Sequence, residues 1–158
     1  MTNVVQRHLL ACPYGLAKTY LQFELGGDRQ LWHLRVPTPA ASVNPLVEFA
    51  KDVDVTVRPS VDPMHFDQPW NVMWAPHGGG PYPTFVGTLT VRADEDWNVA
   101  ALELVGSYEP PLGAAGKIFD VLFGARLASA TAKDLLAEIG QRLEAHYRRD
   151  EATKVAQV

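Results

Sequence analysis

Residues 102–143 read LELVGSYEPPLGAAGKIFDVLFGARLASATAKDLLAEIGQRL, and the fold is decided there. Leu102, Leu104 and Tyr108 fall on alternate positions, the period of a strand with one apolar face. Pro110 and Pro111 close that strand, because proline has no N–H to give to a sheet ladder. Beyond Gly113 the chain turns helical, and between Ala114 and Ala132 its only charged residues are Lys117, Asp120 and Arg126. A helix apolar around most of its circumference must be wrapped by other structure. From Lys133 onward Asp134, Glu138, Arg142 and Glu144 restore charge, while Leu135, Leu136, Ile139 and Leu143 keep helical spacing. That second half is amphipathic, and the whole predicts one long helix gripped by a sheet.

The residues before this stretch supply the sheet. Asn3 to Ala11 is strand-like and ends at Pro13; Tyr14, Leu16, Ala17, Tyr20, Leu21 and Leu25 then mark one face of a helix, stopped by Gly26-Gly27. Arg29 to Val36 returns to strand, and a loop rich in Pro, Ala, Ser and Asn follows. Val53, Val55 and Val57 alternate with Asp54, Thr56 and Arg58, as in a half-buried antiparallel strand over Ala50 to Arg58. Pro59 to Gln68 is a loop, Pro69 to Ala75 a short strand with Trp70 and Trp74, and His77-Gly78-Gly79-Gly80-Pro81 the connection of a hairpin. Thr84 to Arg92 and Asn98 to Glu109 complete six strands, and a short further one is expected between Leu46 and Phe49. The fold class is α+β: a curved antiparallel sheet of six or seven strands around a long C-terminal helix. No repeat or second domain appears, so residues 1–158 form one domain, with a frayed tail expected at 150–158.

Bulk properties narrow the function. A chain of 158 residues with 47% hydrophobic content buries a sizeable core without needing a disulfide or structural metal. A net charge of −4, with Arg148-Arg149 the only basic cluster, argues against nucleic acid and anionic membranes, which need a concentrated basic surface. The single cysteine, Cys12, permits no intramolecular disulfide and reads as a buried thiol. Leu9-Leu10-Ala11-Cys12 looks like a lipoprotein cleavage box, but Asn3, Gln6, Arg7 and His8 break the apolar run that should precede it. With no apolar stretch long enough for a span, a cytoplasmic protein without integral membrane association is expected.

The segment Leu104-Val105-Gly106-Ser107-Tyr108-Glu109-Pro110-Pro111-Leu112-Gly113, followed by Gly116, Asp120 and Gly124-Ala125-Arg126, resembles the C-terminal third of bacterial START-like proteins. That superfamily includes polyketide cyclases, coenzyme-Q-binding proteins and plant pollen allergens. The resemblance implies the helix-grip fold and an apolar cavity between sheet and helix. Two departures accompany it: one helix after the first strand where the family has two, and six strands read where seven are usual. A fold of this kind serves carriers, cyclases, hydrolases and regulators alike.

Specific chemistry is weakly marked. His77-Gly78-Gly79-Gly80 looks like a lipase oxyanion turn, but no Gly-x-Ser-x-Gly supplies a nucleophile, and a hairpin tip is the expectation. Gly116-Lys117 fails as a phosphate loop, having Pro111 and Ile118 where Gly and Ser or Thr are required. His8, His33, His65, His77 and His146 are dispersed, and Asp62, His65 and Asp67 share one loop whose ordinary reading is solvation. No metal or cofactor is implied. The candidate ligand-binding set is Trp70, Trp74, Phe85, Leu102, Leu104, Tyr108, Phe119, Leu122, Phe123 and Arg126, with Arg58 or Arg126 the candidates for meeting an acidic head.

The expected function is binding of a small hydrophobic or amphipathic molecule, such as a lipid, quinone, isoprenoid or polyketide-like compound. One alternative is a cyclase or dehydratase using the same cavity, with Tyr108 and His65 the first residues to test. Another is a protein-docking domain whose cavity is filled by its own side chains.

Overall fold

The computed structural model describes residues 2–26, 31–37, 50–60, 64, 68–80, 82–110 and 124–157, with side chains described outside 31–37, 50 and 51. The elements are β1 (Thr2–Leu10), α1 (Tyr14–Leu25), β2 (Leu31–Pro37), β3 (Ala50–Pro59), β4 (Trp70–Pro76), β5 (Thr84–Ala93), β6 (Ala100–Glu109) and α2 (Ala125–Ala156). Helix α1 begins directly after Pro13, whose carbonyl accepts the Ala17 N–H at 2.9 Å. It buries Ala17, Tyr20, Leu21 and Leu25, the face that helical spacing marks. Its first residue is tied to the β5–β6 turn by the Tyr14 N–H to Trp97 carbonyl bond, 3.2 Å.

Strands β2 to β6 follow one another as an antiparallel meander, and β1 pairs antiparallel with β6, giving a six-stranded sheet in the order β1-β6-β5-β4-β3-β2. Alternation decides which side faces inward. Val4 and Leu10 of β1, Val53, Val55 and Val57 of β3, and Trp70, Val72 and Trp74 of β4 are buried on one face, with Phe85, Leu89, Leu102, Leu104 and Tyr108 from β5 and β6. The opposite face is wet and carries the Arg7–Asp94 and Arg92–Glu103 ion pairs.

Helix α2 shows why the sheet must curve. It approaches β1 and β2, which are the two edges of the sheet, together with β6. Six flat strands would span roughly 24 Å at their usual spacing, whereas a helix with its side chains is only about 10–12 Å across. Contact with both edges while lying less close to β3, β4 and β5 requires the sheet to wrap around the helix. The closest seat is on β1, where Gly140 leaves room for the inward His8 ring; a Cβ there would fall 2.7 Å from it. One turn further, Glu144 accepts the Ala11 N–H at 3.1 Å, just past the end of β1.

Four expectations need correction or fall elsewhere. Over Ala125–Ala132 the helix is not apolar all round: Ala125 and Arg126 are exposed, the one small enough to tolerate solvent and the other charged, and burial follows the stripe Leu127, Ala128, Thr131, Ala132, Leu135, Leu136, Ile139 and Leu143. Residues 150–156 are helical rather than frayed, with Asp150 tied to Tyr20 and Lys154 to Glu151. The strand sought between Leu46 and Phe49 and the helix start between Ala114 and Phe123 lie outside the described residues.

Candidate functional site

Sheet register assembles a row of large side chains across the concave face. Val55 is the partner of Trp74, Trp74 of Phe85, and Phe85 of Tyr108. The adjacent row reads Val57, Val72, Gly87, Gly106 and Val4. Phe85 does not stand upright from its strand; its ring lies over the two glycines, and any Cβ at Gly87 or Gly106 would collide with it. Trp74 stacks on that ring at 3.9 Å between centroids and 9° between planes. The pair makes a flat aromatic platform, made possible by glycines on two neighbouring strands.

Trp74 is 2% exposed. Its indole Nε1 is buried and has no hydrogen-bond partner, the only such side-chain atom among the described residues. Leaving a buried donor unpaired costs about 1–3 kcal/mol, so such groups in a native interior call for a reason.

One wall of this region comes from the β4–β5 connection. Gly78, Gly79 and Gly80 have φ of 71°, 80° and 109°, a backbone run that only glycine adopts readily. The chain then turns inward at Tyr82, 3% exposed, whose hydroxyl lies 2.6 Å from Thr131 Oγ1 on α2. Thr131 donates its own proton to the Leu127 carbonyl at 2.7 Å. A threonine hydroxyl has one proton, so Tyr82 is the donor in the bond between them. Burial pushes the Tyr82 phenol upward, reinforced by Asp134. Burial likewise raises the Asp134 carboxyl, with Lys133 opposing.

Among the described side chains, no inward-facing position of β3 to β6 carries a charge; Lys51 shares their alternation at the start of β3, its side chain outside the description. Arg58 alternates with buried Val57 and is exposed, and Arg126 is exposed in the first turn of α2. Both arginines lie outside the buried aromatic row.

Of the remaining candidates, Trp74, Phe85 and Tyr108 come together in one row. Leu104 lies in the row of Trp70 and Leu89, toward α1, and Leu102 beyond it opposite His8. Trp70 lines a separate shallow depression with Lys18, Leu21, Gln22, Gln68 and Val91. Phe119, Leu122, Phe123 and the Asp62, His65, Asp67 loop group lie outside the described residues. Tyr82 and Thr131 were not legible as partners, because no sequence signal links a tyrosine between two prolines to a threonine 49 positions away.

The His77 turn is engaged in structure. The Gly79 N–H is given to the Pro76 carbonyl at 3.1 Å, and the His77 ring meets the Asp54 carboxylate at 2.9 Å on the surface. A second titratable cluster joins α1 to α2 away from the platform. His146 Nε2 lies 2.5 Å from Glu24 Oε1, Tyr20 is bonded to Asp150 at 2.5 Å, and the Tyr20 and His146 rings stack at 5.4 Å. Accepting the Tyr20 proton, Asp150 pushes that phenol up to about 12.

No protein-family model matches the chain, and no curated protein matches it. Solved structures do. The chain is similar to TTHA0849 from Thermus thermophilus, at 16% identity and a TM-score of 0.49 over 92% of this chain and 99% of that one. It is also similar to a START superfamily protein from Mycobacterium smegmatis, at 12% identity and a TM-score of 0.46 over 93% and 97%. A third is DynU16, encoded in the dynemicin biosynthetic locus, at 14% identity and a TM-score of 0.42 over 92% of this chain and 47% of that one.

Proposed function

We propose that this protein binds a small hydrophobic or amphipathic molecule in the interior between its sheet and its C-terminal helix. One observation carries the reading. The inward side chains of β3 and β4, Val53, Val55, Val57, Val72 and Trp74, are all buried, yet among the described residues α1 and α2 make their main backbone approaches to other strands. A curved sheet held by a helix at its edges leaves its middle to be covered by side chains and by whatever the interior takes up.

The surface on offer is aliphatic and aromatic, so affinity comes mainly from apolar burial. Each Å² removed from water contributes about 25 cal/mol before the cost of immobilising the ligand. Lipid, quinone, isoprenoid and polyketide-like compounds all present such area. The β4–β5 connection, with three successive glycines before its buried residues Tyr82 and Pro83, is the described segment best suited to swing aside for a ligand.

The test is native mass spectrometry of protein purified from its own host, paired with organic extraction. A stoichiometric small molecule that leaves on denaturation is the expected result. Protein that is empty from its host, and that takes up no hydrophobic probe in solution, would overturn the reading.

A further inference from the structure

The chemistry of the aromatic row narrows the ligand further, and the narrowing rests on the binding function just proposed. Trp74 Nε1 is a buried hydrogen-bond donor that no acceptor among the described residues satisfies. Indole N–H is donor-only, so its complement is an acceptor. The ring that carries it is stacked flat on Phe85, and Phe85 is pressed onto Gly87 and Gly106. This platform is rigid and planar, and it favours a flat conjugated body over a coiled acyl chain.

Charge narrows the form of the acceptor. Among the described side chains, inward positions of β3 to β6 hold no cation, and Arg58 and Arg126 are exposed. A carboxylate or phosphate buried there would lack the pairing that offsets its desolvation. We infer that the interior takes a neutral, planar, conjugated molecule bearing an acceptor oxygen such as a ketone or quinone carbonyl, with Trp74 Nε1 donating to that oxygen.

Matched probes isolate the acceptor from the apolar body. Fluorene and 9-fluorenone share a tricyclic plane and differ by CH₂ against C=O; indane and 1-indanone repeat the contrast at two rings. Fluorene-9-carboxylate adds a charge. Titrations of the full chain, followed by tryptophan fluorescence and calorimetry, are expected to show each ketone binding about tenfold more tightly than its hydrocarbon. The carboxylate should bind more weakly than either.

Trp74→Phe should remove the ketone preference, so that ketone and hydrocarbon bind equally. Where that smaller ring disturbs folding, benzothienylalanine at position 74 keeps the bicyclic shape and deletes only the N–H. The carbonyl stretch of bound fluorenone should move to lower frequency in the wild type and return in the isostere.

Equal binding of ketone and hydrocarbon would overturn the acceptor assignment and leave the apolar cavity standing. So would a ketone preference that survives both position-74 variants. Failure of every probe at both ring sizes, in protein that is also empty from its host, would overturn the cavity and the acceptor assignment together.

Discussion

At the residue scale, single polar atoms and missing Cβ atoms decide the interior. The Tyr82–Thr131 pair predicts an asymmetry. Tyr82→Phe removes the donor, leaving Thr131 still bonded to Leu127, and should cost about 1 kcal/mol. Thr131→Val leaves the Tyr82 proton buried without an acceptor and should cost more, roughly 2–3 kcal/mol. Urea denaturation of the two variants checks the order, and equal losses would refute the assigned donor. Gly106→Ala should be worse tolerated than a typical core change, at about 3 kcal/mol, because its Cβ meets the Val86 carbonyl and the Gly87 backbone as well as Phe85. Trimming Phe85 to Leu would then fail to restore stability. Cys12, fully buried and pushed up to about 11 by burial and by Glu144, should resist iodoacetamide at pH 8 until the protein unfolds. At this scale the sequence was partly legible. Trp74, Phe85 and Tyr108 were marked by size and strand period, but the orphan indole N–H and the Tyr82 bond depend on rotamers and distant partners, which periodicity does not encode.

At the element scale, α1 and α2 are joined by groups whose protonation matters. Glu24 meets His146 and Arg142, and Asp150 accepts from Tyr20. The Tyr20 phenol is raised from its ordinary value of 10.0 to about 12, first by the Asp150 bond and then by burial. Between those values the unfolded chain has lost the proton that the folded chain keeps. The stabilisation is therefore complete below pH 10 and is lost as pH rises toward 12. Chemical denaturation across that range should show stability falling, with a shallower slope in Tyr20→Phe; identical slopes would refute the Tyr20 contribution. Element identity was largely readable. Alternation at Val53, Val55 and Val57 and the 3.6 spacing through α1 each bury the side they mark. The solvent-facing side of Ala125–Ala132 was misread, because alanine and serine carry little hydropathic information and take their burial from neighbours.

At the scale of the whole molecule, the sheet closes on a helix that outlasts it, and the two parts of that helix do different work. The buried stripe ends at Leu143, after which the ties are lateral: Glu144 to the Ala11 N–H, His146 to Glu24, and Asp150 to Tyr20. Beyond Asp150 the described side chains are exposed or half-buried and reach only along the helix itself, as Lys154 does to Glu151. Truncation after Asp150 should therefore leave the unfolding midpoint almost unchanged. Truncation after Leu143 keeps the buried stripe but removes all three lateral ties and the packing of Tyr147 against the core, and with the ties at about 1 kcal/mol each it should cost at least roughly 3 kcal/mol. Hydrogen exchange separates this loss from general unfolding: α1 amides should lose protection first, while β5 and β6, paired on both sides within the sheet, keep theirs. Uniform loss across sheet and helices would mean that the last turns of α2 support the grip itself rather than the position of α1 beside it.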